Sequence, residues 1–307
     1  MLLEEGGGFL FTDPRYFPPG EEGEEWEFVV VRENLMEVLR ERIERTKLKE
    51  IVFEENRVTV KMRKELDKIG GVNWNEGGGW VEEERMRKDE EELKLIREAW
   101  RIGEEVLRRV KEFLRPGMEE RELAVEVEHW LRKKGSETLP FPPIVTGSKN
   151  SALPHAKPGK DPLKEKEPLI VDLGARIEGY CSDITLTFFP GGIPSCWEER
   201  KRMVEEAISL AISLVEVGRR CRDVFMEVER FFSRQDLQEN FLHSLGHGVG
   251  LKVHERPLLG RKSEDVFQPG MVFTLEPGLY FPGEGGVRKE IMVYISPEGK
   301  VIPFQGV

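Results

Sequence analysis

Apolar residues recur at helical spacing in four stretches of the chain. After Asp89, the positions Leu93, Ile96, Val106, Leu107, Val110 and Leu114 are spaced to fall on one side of a helix, and Asp89 with Glu92 three residues later forms a capping-box signature. This spacing predicts a long helix ending at Pro116-Gly117. A second helix is expected from about Glu119 to Lys134. Ser195 with Glu198 is expected to cap a third, whose apolar face carries Met203, Ala207, Leu210, Ala211, Leu214 and Val215, and Cys221 to Phe232 reads as a fourth. Strand-like runs lie at 168–174, 180–188, 271–276 and 288–295, most with glycine or proline nearby. Helices beside hairpin-type strands predict an α+β fold.

Residues 1–84 show a different pattern, with a Gly-rich start, an apolar run at Phe28-Val29-Val30-Val31, a helical stretch near 33–47 and a strand candidate at Ile51-Val52-Phe53. They predict a small α/β domain, leaving 85–307 as the larger one, and a length of 307 residues suits such a pair. Gly77-Gly78-Gly79 is followed by Trp80-Val81, where a phosphate loop needs Lys and Ser or Thr, so it reads as a turn.

Composition removes several classes of function. A net charge of -11 disfavours a nucleic-acid partner, which needs a basic footprint. No apolar run approaches the roughly 18 residues of a membrane span, and the acidic start Met1-Leu2-Leu3-Glu4-Glu5 lacks the positive region of an export signal. A soluble, cytoplasmic protein is expected. Three cysteines, Cys181, Cys196 and Cys221, lack C-x-x-C spacing and read as reduced thiols.

The candidate chemistry lies in two hairpins. Leu169-Ile170-Val171-Asp172-Leu173-Gly174 and Tyr180-Cys181-Ser182-Asp183-Ile184-Thr185 read as paired strands. A turn midpoint between residues 177 and 178 would set Asp172 directly opposite Asp183. Phe273-Thr274-Leu275-Glu276-Pro277 and Val287-Arg288-Lys289-Glu290-Ile291 repeat the pattern around Pro282 to Gly286, with Glu276 and Glu290 symmetric about the turn. Facing carboxylates repel unless a cation lies between them, and four carboxylates match the charge of two divalent ions. A transition-metal site also wants a nitrogen ligand, for which His247 in His243-Ser244-Leu245-Gly246-His247-Gly248-Val249-Gly250 is the candidate.

The run Leu169 to Thr187, the block His243 to Glu255, Leu275-Glu276-Pro277-Gly278 and Gly286-Val287-Arg288-Lys289-Glu290 together resemble the pita-bread metallopeptidases, most closely their Xaa-Pro dipeptidase (prolidase) and Xaa-Pro aminopeptidase branch. The resemblance covers about residues 85–303. It implies a dinuclear-metal peptidase that hydrolyses the Xaa-Pro bond of a proline-containing dipeptide or short peptide through a hydroxide held between the ions. Asp172 would hold one ion, Asp183 and Glu290 would bridge both, and His247 and Glu276 would complete the second. Glu276 would also shuttle a proton. His155 and His254 map onto histidines that bind substrate and stabilise the tetrahedral intermediate, and Arg288 onto an arginine beside the bridging glutamate. His243 is implied either as a substrate contact or as a residue that orients its neighbours. The two divalent ions are expected to be manganese, with cobalt, zinc and iron suited to the same ligands.

Blander readings hold elsewhere in the chain. His129 reads as a structural helix residue, Cys181 as a packed thiol, and the acidic runs at 21–25, 82–84 and 90–92 as solvated surface. A methionine aminopeptidase shares the fold and ligand types, and a non-catalytic peptide-binding module could be built on the same frame. The leading α/β unit and Val253-His254-Glu255-Arg256-Pro257 favour the Xaa-Pro branch, and five retained ligands argue against a binding module. The segment before residue 85 is shorter than the usual amino-terminal domain of this branch, with Phe11-Thr12-Asp13-Pro14-Arg15-Tyr16 matching its familiar strand. In the family that domain helps to limit substrate length and to form a homodimer, so both properties stay open here.

Overall fold

The computed structural model describes residues 1–4, 7–16 and 26–304 and divides into two compact units, Met1–Val81 and Glu82–Val307. Among the described residues no helix is long and apolar enough to cross a membrane.

In the first unit, strand Gly7–Thr12 pairs antiparallel with Leu2–Glu4 and parallel with Trp26–Val30, and Glu50–Glu54 pairs parallel with Asn73–Gly77. Helix Leu35–Thr46 is capped by Asn34, whose side chain accepts from the Met36 N–H, and it ends at Lys47 in the left-handed region. Leu2, Phe9, Ile43, Ile51, Leu66 and Ile69 form the unit's core.

The second unit is α+β. Its helix Glu90–Phe113 starts from the expected capping box, with the Asp89 side chain accepting from the Glu92 N–H and the Glu92 side chain from the Asp89 N–H. Ile96, Ala99, Ile102, Val106 and Val110 recur at three- and four-residue spacing and are buried together. Gly103 lets this helix lie close to the sheet, since a Cβ there would stand 3.1 Å from Ile184 and 3.2 Å from Leu173. Helices Glu120–Lys133, Ser195–Leu214 and Cys221–Ser233 follow. One boundary differs from the sequence reading. Pro194 is the N-cap of the third helix and no side chain caps it, so Ser195 is its first helical residue. Proline preceding the first turn has already fixed the extended entry that a serine cap would otherwise favour.

Two antiparallel sheets carry the site. One orders Ile184–Phe188, Leu169–Leu173 and Ile144–Gly147. The other orders Glu255–Leu259, Gly246–Gly248, Val272–Leu275, Ile291–Ile295 and Val301–Pro303. The second hairpin keeps the expected register, from Leu275 opposite Ile291 to Phe281 opposite Gly285, which sets Glu276 across from Glu290.

The first hairpin does not. Its ladder pairs Asp172 with Thr185 and Ile177 with Tyr180, so Asp183 lies diagonal to Asp172, on the same face and one pleat further along. The turn explains the shift. Glu178 and Gly179 both have positive φ, 45° and 84°, the two-residue turn whose twist suits a hairpin, so the chain reverses at 178–179. Gly179→Ala is expected to cost about 1 kcal/mol, because an alanine must hold a left-handed conformation there although its Cβ would find room 3.5 Å from Leu251. A lower urea midpoint at unchanged m-value would show it; an unshifted midpoint would contradict it.

Candidate metal centre

Asp172 projects from the middle strand of the three-stranded sheet, and Asp183 lies between Cys181 and the strand that starts at Ile184. Glu276 directly follows Val272–Leu275, and Glu290 directly precedes Ile291–Ile295. The two hairpins are stitched together by threonines. The Glu290 N–H donates to the Thr185 carbonyl (3.0 Å) and Thr185 Oγ1 donates to Glu290 Oε2 (2.8 Å). Thr187 Oγ1 donates to the Arg288 carbonyl (2.8 Å) while accepting from its N–H (2.9 Å). Sequence reasoning passed over both threonines, yet the alternation Asp183, Thr185, Thr187 on one strand face was the signal for them.

His247 enters on the short strand Gly246–Gly248, wedged between two neighbours. A Cβ at Gly246 would stand 2.0 Å from the Thr274 carbonyl oxygen, and one at Gly248 would stand 2.1 Å from that of Arg256. Only glycine on both sides lets the imidazole reach the carboxylates. Its Nδ1 faces the Gly248 carbonyl at 3.1 Å, so Nδ1 carries the proton and Nε2 presents a lone pair. That lone pair points at acceptors, 3.4 Å from Glu276 Oε1 and 3.7 Å from Asp183 Oδ2.

Among the described residues, candidate ligand atoms gather within 4.8 Å of one another in three groups. They are Asp172 with Asp183 and Glu290, His247 with Glu276 and Glu290, and Asp183 with His247 and His254. The first two share Glu290 and together contain all five expected ligands. Asp172 Oδ1, Asp183 Oδ1 and Glu290 Oε1 are buried without a hydrogen-bond partner. Orphaned acceptors and a lone pair aimed at carboxylates would be costly to bury unless cations lie between them, so the residues present fit a pair of divalent ions.

Electrostatics agree with that fit. In the metal-free protein, burial first and the neighbouring carboxylates second push Asp183 and Glu290 well above the usual carboxylate range. Burial raises Glu276 to about 8. Burial and then the nearby His254 lower His247 to about 3, so it is neutral near pH 7, as a ligand must be.

Arg288, 2% exposed, closes the site from behind. Its Nη2 donates to Asp172 Oδ2 (2.6 Å), and its Nη1 donates to the Tyr280 hydroxyl (2.8 Å) and to the Pro154 carbonyl (3.2 Å). Burial works against its charge, but Tyr280, Asp172 and Glu276 outweigh this and raise its pKa, leaving a fixed cation. Because Tyr280 accepts from Arg288, its proton goes to His243 Nε2 (2.8 Å), while His243 Nδ1 donates to the Ser244 carbonyl (2.8 Å). Both ring nitrogens of His243 are therefore engaged within the protein. Tyr280 was another residue the sequence reading left out.

The carboxylates open into a cavity of about 620 Å³, also lined by His155, His243 and His254 and by an apolar wall of Phe141, Pro142 and Ile144. His155 and His254 are exposed to it, and the His254 ring lies tilted against that of His247, with centroids 4.1 Å apart. Burial lowers the pKa of His254. Glu255, next in the chain, accepts from the Lys252 N–H (3.4 Å), and its carboxylate pairs with Arg85 Nη2 (2.6 Å) and with the buried Lys88 Nζ (2.8 Å).

The sequence profile of metallopeptidase family M24 matches residues 94–297, which include every residue of both candidate ion sites. The chain belongs to this family. The M24 unit accordingly has the pita-bread fold. The chain is 34% identical over 219 residues to the Xaa-Pro dipeptidase of Pyrococcus horikoshii, a match covering 71% of this chain and 62% of that one. Two solved structures resemble it at a TM-score of 0.90. The X-Pro aminopeptidase of Thermotoga maritima MSB8 is 31% identical, with 99% of this chain and 87% of that one covered. The Xaa-Pro dipeptidase of Bacillus anthracis is 30% identical, with 95% and 82% covered. This M24 chain nevertheless spans under two thirds, 62–64%, of the length of four curated relatives it matches.

Proposed function

We propose that this protein is a dinuclear-metal peptidase that hydrolyses the Xaa-Pro bond of dipeptides or short peptides, with manganese as its metal. The observation that carries the reading is the pair of ligand groups sharing Glu290, with Asp172 and Asp183 on one side and His247 and Glu276 on the other. Similarity to M24 proteins named for Xaa-Pro cleavage supports the substrate. When bound, the ions would polarise the scissile carbonyl and lower the pKa of water.

The protein's own groups perform the remaining tasks. Glu276 has the most exposed side chain of the four carboxylates, 17% against 13% or less, so its Oε atoms are placed to take the proton of the attacking water and return it to the departing proline nitrogen. His155 and His254, facing the cavity from irregular backbone, donate to the carbonyl oxygen as it gains charge. Arg288 fixes Asp172, and His243, through Tyr280, fixes Arg288. His243 thus takes the orienting role that the sequence had left beside direct substrate contact. Phe141, Pro142 and Ile144 offer the apolar surface a pyrrolidine ring would cover.

The test strips the metal, restores manganese, and follows Ala-Pro, Ala-Pro-Ala and Met-Ala-Ser side by side. Cleavage of Ala-Pro alone identifies a dipeptidase, and cleavage of Ala-Pro-Ala an aminopeptidase. Preference for Met-Ala-Ser moves the protein to the methionine branch, and no cleavage with manganese, cobalt, zinc or iron overturns the peptidase reading. In the same assay His155→Ala is expected to keep its metal and lose about a hundredfold in kcat, as when one oxyanion donor is removed. Loss of metal from that variant would make His155 a ligand instead.

A further inference from the structure

Glu120 is a buried carboxylate that belongs to none of the ligand groups. It opens the helix Glu120–Lys133 and is 1% exposed. Its Oε1 accepts from the Gly147 N–H (2.6 Å), and its Oε2 from the Gly159 N–H (2.8 Å) and from Asn150 Nδ2 (2.8 Å). All three donors are neutral amides, so the charge is held by fixed dipoles.

These three donors belong to one loop. Gly147 ends the strand Ile144–Gly147, Asn150 lies in the single turn Ser148–Ala152, and Gly159 is where the loop returns to the helix, its carbonyl accepting from the Arg121 N–H (3.0 Å). Asn150 Nδ2 also reaches the Lys157 carbonyl (3.3 Å), tying the two limbs together. One carboxylate thus gathers both ends and the first turn of residues 147–159. His155 stands between the ties and faces the cavity. Its other anchor is next to it, the Pro154 carbonyl accepting from Arg288.

We propose that Glu120 is a positioning residue for His155, cinching the loop so that the imidazole is held where the scissile carbonyl lies. The inference rests on the reading of His155 as a substrate contact. A glutamine cannot take over the role. It has one acceptor oxygen and would turn an NH₂ group towards N–H donors, which breaks at least one tie.

The test is a double-mutant cycle on the manganese-loaded full chain, comparing wild type, Glu120→Gln, His155→Ala and the double variant on whichever of Ala-Pro and Ala-Pro-Ala is cleaved faster. Amide exchange over 147–159 and metal content are read alongside. Glu120→Gln is expected to lower kcat/KM by about tenfold when His155 is present, as imprecise placement does. With alanine at 155 the same change should cost less than about twofold, the coupling that marks two residues acting as one. Exchange should quicken while metal content stays unchanged. Equal losses in both backgrounds, or no loss in either, overturn the inference alone. Normal turnover in His155→Ala overturns the reading of that histidine and the inference with it. Asn150→Ala, which removes one tie, runs the same cycle with the same outcomes if Glu120→Gln does not fold.

Discussion

Asp183→Asn is expected to abolish metal-dependent turnover while leaving the protein folded and, in its metal-free form near neutral pH, at least as stable as wild type. Asp183 appears in two of the three ligand groups and its Oδ1 has no hydrogen-bond partner within the protein. An amide there keeps the shape but removes one of four negative charges and offers a single acceptor oxygen to a cation. Even the loss of an outer partner of a metal ligand costs about 10- to 100-fold in affinity or activity, so removal of the ligand should bring turnover to background. Stability should move the other way. Burial and the charges of Glu290, Asp172 and Glu276 hold Asp183 well above its usual pKa, so without metal the wild type must either keep a proton there that the unfolded chain releases or bear the repulsion, a cost that a permanently neutral amide avoids. Metal content, kcat and thermal midpoint of chelated protein together decide the matter. Normal turnover in Asp183→Asn would sink the two-ion reading, and a collapsed midpoint would show that the carboxylate also supports the fold.

Much of this centre is legible in the sequence. Glu276 and Glu290 are symmetric about a glycine-bounded turn, and the pairs on either side of them, Leu275 with Ile291 and Gly278 with Arg288, share one register that sets them opposite each other. The Asp172 and Asp183 pairing was misjudged by one turn position, since the choice between Ile177-Glu178 and Glu178-Gly179 as turn centre rests on backbone conformation. Strand alternation preserved the essential point even so. A two-residue slip along one strand returns both side chains to the same face, whereas a one-residue slip would have separated them. His247 was legible from its flanking glycines, whose purpose is the approach of two neighbouring carbonyls.

What the sequence did not disclose were interactions between residues far apart in the chain. Thr185 and Thr187 bind residues more than a hundred positions away, and Tyr280, bonded to Arg288, reaches His243 across 37 positions. Lys88 is paired with Glu255 across 167 positions. None of these side chains belongs to a recognisable local pattern of charge. Each is needed because a buried charge or ligand requires its other atoms satisfied, a demand that, beyond the strand face the two threonines share with Asp183, becomes visible only when the neighbours are known. The helix boundary at Pro194 was missed for a local reason instead: a serine followed three residues later by glutamate looks like a cap wherever the preceding proline is ignored.

Chelated protein is expected to lose stability as pH rises from about 6.5 to about 8, and added manganese to recover more the higher the pH. Two sets of groups titrate with opposite sign. His247 and His243 have folded values lowered to about 3 and about 4 from 6.5, so they contribute stability that is present above 6.5 and lost as pH falls below it. The carboxylates behave in reverse. Glu276 is raised to about 8 from 4.5, and Asp183 and Glu290 are also raised. The folded chain keeps protons that the unfolded chain has released, and the stability this gives is full below pH 4 and drains away as pH climbs to the folded values. Below 6.5 the two trends oppose each other. Above it the histidine contribution fades over about one pH unit as the unfolded chain loses its remaining imidazolium, and the carboxylates dominate, each retained proton giving a downward slope of up to about 1.4 kcal/mol per pH unit. Divalent ions take the place of those protons, so binding should release protons and strengthen with pH across the same window. Thermal midpoints with chelator and with saturating manganese at pH 6.5 and 8 would measure both trends, and calorimetry in two buffers of different ionisation enthalpy would count the protons. A chelated midpoint that rises over this interval, or a metal increment independent of pH, would show that the carboxylates are already ionised without a cation and that their burial costs the fold far less than their environment implies.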